Sequence, residues 1–228
     1  MRILALETCT DIGSVALWHD GRLIERLCPA GQAHSQTLLP LIQSMLSEAG
    51  WALGELDGIA FGTGPGAFTG LRVACSIAQG LALGSDLGVL PIGSLAALAY
   101  GTGETRCLAV LDARMGEIYS GFFERSGDGM IQHGELTVIQ PTALNWPTQP
   151  ALVAGNALRA YPFLIESAEL AGLTTNAEAI PGAGSVAALG AIALANGECV
   201  DAAMAVPLYV RNKVAQTVAE RLLAGGKA

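Results

Sequence analysis

The feature that most constrains the fold is a pattern of elements that the chain states twice. Residues 3–6 read as an apolar strand, 10–13 as a turn, 14–18 as a second strand, Asp20-Gly21 as a hairpin signal and 23–27 as a third strand. The same grammar returns further on, with a strand over 107–111 ending at Asp112, a short turn that includes Gly116, a strand over 117–123, a turn over 127–129 and a strand over 130–138. Glu7 stands in the first copy where Asp112 stands in the second, a separation of about 105 residues that marks an internal repeat. After its three strands the first copy continues with a helix over 35–49, whose Leu38, Leu41, Ile42, Met45, Leu46 and Ala49 share one arc and which Gly50 ends. A strand over 57–61, a glycine turn, a helix over 69–83, a strand over 89–92 and a short helix from Ser94 follow. In the second copy 151–154 gives the later strand and 185–196 a helix stopped by Gly197, with loops expected over 141–150 and 174–184.

A duplicated strand-strand-strand-helix-strand-helix unit resembles the two lobes of actin, the sugar kinases and the heat-shock ATPases. The expected class is therefore α/β, a two-lobed actin-like ATPase (ASKHA) fold with a reduced second lobe. Residues 1–105 form its first lobe and 106–205 its second, and 206–228 a C-terminal segment returning to the first.

Between strand and helix, Gly62, Gly64, Pro65 and Gly66 make a turn in which glycine permits positive φ and N–H groups could converge toward a phosphate. The same residues also suit a tight turn that binds nothing. Gly62-x-Gly64-x-x-Ala67, with Asp86 further on, formally matches a dinucleotide fingerprint, but Pro65 interrupts it and an antiparallel meander precedes it. On the following helix Leu71, Val73, Ala74, Cys75, Ile77, Ala78, Leu81 and Ala82 cover an arc of about 200° at about 100° per residue. Packing once against a sheet needs roughly half of that, so a second covering element or a partner is expected.

Composition agrees. Hydrophobic residues are 51% and charged ones 14% of the 228 residues, which points to surface hidden in a partner. The longest apolar run, around 183–195, is shorter than the ~20 residues of a membrane span, and Glu7 interrupts the N-terminal apolar run, so neither a span nor a signal peptide is expected. A net charge of −8 without a basic cluster argues against tight unaided nucleic-acid binding. Cys9, Cys28, Cys75, Cys107 and Cys199 are odd in number and lack a C-x-x-C pair, which fits reduced thiols in the cytoplasm. His19, His34 and His133 are too scattered for a zinc motif, and neither metal nor cofactor is expected.

Several stretches carry a family resemblance over nearly the whole chain: Ile3 to Thr8 (ILALET), His34-Ser35, Gly64-Pro65-Gly66-Ala67-Phe68-Thr69-Gly70-Leu71-Arg72, Asp112-Ala113-Arg114-Met115-Gly116-Glu117-Ile118-Tyr119 and Pro207-Leu208-Tyr209-Val210-Arg211. They resemble the TsaB (YeaZ) family. The resemblance implies a cytoplasmic, non-catalytic partner of the enzyme TsaD. With TsaD and the ATPase TsaE it would attach threonylcarbamoyl to N6 of adenosine 37 in tRNAs reading codons that begin with adenine, meeting tRNA only through the complex. TsaD holds its metal with an H-x-x-x-H pair; the matching place here reads Gly93-Ser94-Leu95-Ala96-Ala97-Leu98, and Leu98 cannot coordinate a metal. Glu7 stands where the family pattern has Asp. The resemblance further implies pairing with TsaD, or with a second copy when TsaD is lacking, through the two helices of the first lobe. The residues expected there are Leu38, Leu41, Ile42 and Met45 from the first helix and Ala74, Ile77, Ala78 and Leu81 from the second, some of which must face the chain's own sheet.

Two other classes of function fit the residues less well. An independent ATP-dependent phosphotransferase would use Glu7 and Asp112 for metal and phosphate, and Ala154-Gly155-Asn156 in an adenosine pocket. A metallopeptidase would need the missing histidine pair.

Overall fold

The computed structural model describes residues 1–211. Strands β1 (Arg2–Glu7), β2 (Ser14–His19), β3 (Arg22–Leu27), β4 (Gly58–Gly64) and β5 (Val89–Gly93) form one sheet in the order β3-β2-β1-β4-β5. Strands β6 (Arg106–Arg114), β7 (Glu117–Ser126), β8 (Gly129–Ile139), β9 (Leu152–Ala154) and β10 (Thr174–Asn176) form a second, in the order β10-β9-β6-β7-β8. Taken from its other edge the second sheet repeats the first. Each has a central strand antiparallel to its hairpin partner and parallel to the later strand: β1 with β2 and β4, β6 with β7 and β9. The helices are α1 (His34–Ala49), α2 (Phe68–Gly84), α3 (Ser94–Gly101), α4 (Ala157–Ala160), α5 (Phe163–Leu170) and α6 (Ala183–Ala195).

β1 and β4 are apolar without alternation because both of their faces are covered. Leu4 and Leu6 point into a core with α1 and α2, and Ile3 and Ala5 into another with α6. The second copy departs from the expected unit. No helix lies between β8 and β9, where the chain passes through a 3₁₀ turn at Pro141–Ala143. The loop expected over 174–184 instead begins with β10, whose Thr-Thr-Asn sequence has no apolar periodicity and is strand only through parallel pairing with β9. Short helices α4 and α5 fill the crossover before it.

Packing does not follow chain order at α3 and α6. α6 lies on β1, β2, β4 and β5 of the first sheet, and α3 on β6, β7 and β8 of the second, and the two helices touch. Thus 183–205, placed by sequence in the second lobe, packs on the first: α6 enters its core and Val200 bridges Val89. The small residues of α6 permit this closeness, for a Cβ on Gly190 would sit 2.8 Å from that of Ala60. Among the described residues no helix is long and apolar enough to cross a membrane. Of the C-terminal segment, 206–211 spans both lobes, and 212–228 lies outside the described residues.

Candidate functional site

At the end of β1, Glu7 is fully buried, its Oε1 accepting the Cys9 N–H at 2.8 Å and its Oε2 the Ser94 hydroxyl at 2.8 Å. Ser94 Oγ also accepts the Gly64 N–H at 3.1 Å, so the first residue of α3 ties the ends of β1 and β4 together. A Cβ on Gly62 would lie 2.1 Å from Glu7 Oε2: the carboxylate fills the space that glycine leaves. Burial raises the Glu7 pKa above its ordinary 4.5, opposed by the Cys9 amide. Leu98, one turn along α3, is buried in the second lobe's core. Ser94 and Leu98 are therefore committed to internal hydrogen bonds and packing.

Of the turn glycines, Gly64 alone has positive φ, +110°. Gly66 and the helical Gly70 are needed for close approach instead, since a Cβ there would lie 2.5 Å from the Cys9 carbonyl oxygen and 1.9 Å from that of Thr8. Ala67 N–H donates to Cys9 O at 2.7 Å, and the Thr8 hydroxyl to Gly70 O at 2.7 Å. The turn is pressed onto the end of β1, and His34 Nε2 holds the same segment at 3.0 Å from Thr10 O.

Between the lobes lies a cleft of about 240 Å³, whose walls come from stretches far apart in sequence. Gly66, Ala67 and Phe68 face Asp112, Arg114, Tyr119 and Asn156, and Leu208, Tyr209, Val210 and Arg211 complete the lining. The Asp112 N–H donates to Asn156 Oδ1 at 2.9 Å, and Asp112 Oδ1 accepts the Arg114 N–H at 2.9 Å. The Arg114 guanidinium reaches Asp112 Oδ2 at 3.4 Å and Asp11 Oδ2 at 3.0 Å. Arg211 pairs with Glu117 and donates to the carbonyls of Ala113 at 3.1 Å and Arg114 at 3.4 Å. Arg72 donates to the Tyr209 hydroxyl at 3.0 Å and lies 3.9 Å over the Phe68 ring. Burial pushes the Tyr119 phenol up, only partly opposed by Arg211.

Each cation that lines the cleft thus has an acidic partner. The volume is below the roughly 300–1,000 Å³ usual for small-molecule sites. Ala154-Gly155-Asn156, considered for an adenosine pocket, serves packing: a Cβ on Gly155 would meet Val110 O at 1.9 Å, and Asn156 is engaged by Asp112. Glu7 does not line the cleft. Among the described residues no group of three or more His, Cys, Asp or Glu is clustered as a metal site.

The helix pair divides. Leu38, Ile42, Met45, Ala74 and Ala78, expected at a partner surface, are buried in the core of their own lobe. α1 and α2 lie side by side on one face of the sheet, and the centre line of each apolar arc points into that face. Leu41, Ile77 and Leu81 are half-buried at its margin, joined by Val73, and Leu39 and Leu83 are 48% and 63% exposed. Thr69 is exposed at the start of α2. Leu39 and Leu83 lie off the apolar arc read from the sequence, and Tyr209 and Arg211 stood there within a motif stretch without a role of their own, although polar and aromatic side chains inside an apolar stretch were an available signal.

Two lobes of one repeated topology around a cleft define a member of the actin-like ATPase fold class. The family model described as "TsaD: tRNA N6-adenosine threonylcarbamoyltransferase" matches residues 29–219. A "tRNA threonylcarbamoyladenosine biosynthesis protein TsaB" of Escherichia coli (strain K12) is 38% identical over 227 residues, covering 94% of this chain and 96% of that protein. The chain belongs to the TsaB family. The protein of the same description from Haemophilus influenzae is 43% identical over 123 residues, 52% of each chain. The solved structure "YeaZ from Pseudomonas aeruginosa" superposes with a TM-score of 0.82 at 36% identity, covering 91% of this chain and 99% of that one.

Proposed function

We propose that this chain is a cytoplasmic, non-catalytic subunit in the synthesis of N6-threonylcarbamoyladenosine at position 37 of tRNAs reading codons that begin with adenine. In this reading TsaD is the catalytic partner, TsaE the ATPase, and tRNA is met only through the complex. The observation that carries it is the fate of Ser94 and Leu98. One is consumed in bridging Glu7 and Gly64 and the other is core, so neither is free to act as a ligand. The margin of the helix pair, with Leu39, Val73, Ile77, Leu81 and Leu83, supports pairing with TsaD, and with a second copy when TsaD is lacking. The test is turnover: the purified chain alone should neither hydrolyse ATP nor modify tRNA, and should restore modification when TsaD and TsaE are added. ATP hydrolysis by the chain alone that is lost in Glu7→Ala or Asp112→Ala refutes this reading.

A further inference from the structure

The segment Pro207–Arg211 runs along the cleft and touches both lobes within four residues. Leu208 N–H donates to Thr63 O at 2.8 Å, on β4 of the first lobe. Tyr209 accepts a hydrogen bond from Arg72 at 3.0 Å and lies against Phe68 with ring centroids 5.6 Å apart, both on α2. Two residues later, the Arg211 guanidinium is held by Glu117 and by the carbonyls of Ala113 and Arg114, on either side of the β6–β7 turn. That turn is tight, with Arg114, Met115 and Gly116 all at positive φ.

We propose that this segment is an interlobe latch: Tyr209 anchors it to the first lobe, Arg211 to the second, and together they hold the cleft at one width. Among the described residues the side-chain ion pair across the cleft apart from this segment is Arg114–Asp11, whose side chains are 72% and 85% exposed, and an ion pair so exposed fixes little. α3 and α6 join the lobes elsewhere, since neither contributes to the cleft lining. Arg211 differs in kind. Its side chain is 15% exposed, its charge is matched, and its contacts include backbone carbonyls that cannot move without moving the turn. The latch gives a use to three motifs that the proposed function leaves idle: Phe68 and Arg72 at one end, Glu117 at the other, and Tyr209 with Arg211 between them.

The experiment measures interlobe distance in the full chain. Spin labels go on Gln36→Cys in α1 and Glu135→Cys in β8, both exposed, with Cys199→Ser because the other four cysteines are buried. Electron–electron double resonance on this chain, diluted into an excess of unlabelled chain so that pairs between copies do not contribute, should give one narrow distance distribution. Tyr209→Ala and Arg211→Ala should each broaden or displace it, whereas Arg26→Ala, which breaks the 2.6 Å Arg26–Glu48 pair within the first lobe, should not. Should either alanine variant fail to fold, Tyr209→Phe and Arg211→Gln are measured in the same way. Folded latch variants whose distributions superimpose on that of the unaltered chain overturn the proposal.

Discussion

Ser94→Ala removes one hydroxyl that serves two buried groups. The Gly64 N–H loses its acceptor, and Glu7 Oε2 loses its hydroxyl donor. A buried amide left unpaired costs about 1–3 kcal/mol, and a hydrogen bond to a charged group contributes about 1.5–3 kcal/mol. Glu7 can shed part of its share by becoming protonated, which burial already favours. The loss is therefore expected to be about 3 kcal/mol, a large fraction of the roughly 5–15 kcal/mol that holds a typical domain folded. With urea slopes of about 1–3 kcal/mol/M, the unfolding midpoint should fall by roughly 1 M or more. Circular dichroism against urea reads this directly, and a loss below about 1 kcal/mol would show that Ser94 is not the tie between β1, β4 and α3 described above.

Gly70→Ala should cost at least about 1–3 kcal/mol by overpacking, because its Cβ would meet a backbone oxygen, Thr8 O, at 1.9 Å. Gly80→Ala, with nothing within 4 Å in the same helix, should stabilise by about 0.5–1 kcal/mol; paired thermal melts compare the two. Glu7 has a folded pKa above its unfolded 4.5, so its favourable contribution is complete below 4.5 and lost as pH rises through the folded value. Glu7→Gln should flatten that decline, and parallel pH–stability curves for the two chains would refute the assignment. In a thiol-titration time course Cys199, which is half-buried, should react first, because the other four cysteines are buried from reagent and burial pushes Cys107 up to about 12 and Cys9 well above the usual range.

The repeat was legible because each copy carries its own turn signals and apolar strands, and β1 through β8 fall close to where the sequence puts them. β10 was not, since Thr174, Thr175 and Asn176 become a strand only by pairing with β9. The exchange of α3 and α6 was equally hidden. A helix apolar on nearly all sides, as α6 is, announces burial but not which sheet will bury it. At the candidate site, the motif residues were visible as separate stretches, and their convergence on one cleft depends on lobe geometry that no local pattern encodes. The wide arc of α2 implied covering on a second side, yet Ala78, at its centre, faces the sheet, and the half-buried Val73, Ile77 and Leu81 sit at its edge.

That division allows pairing, the role proposed for this chain, to be tested directly. Leu39→Asp and Ile77→Asp place a charge on the margin of the helix pair, and Ala78→Asp places one in the core. Circular dichroism and size-exclusion chromatography are run for each variant, alone and with TsaD. An uncompensated charge in a desolvated contact costs several kcal/mol, and about 3 kcal/mol is more than a hundredfold in affinity. The Leu39 and Ile77 variants should stay folded but no longer co-elute with TsaD, while Ala78→Asp should melt at lower temperature. Folded Leu39→Asp and Ile77→Asp chains that still co-elute and support full threonylcarbamoyl transfer to tRNA would contradict it.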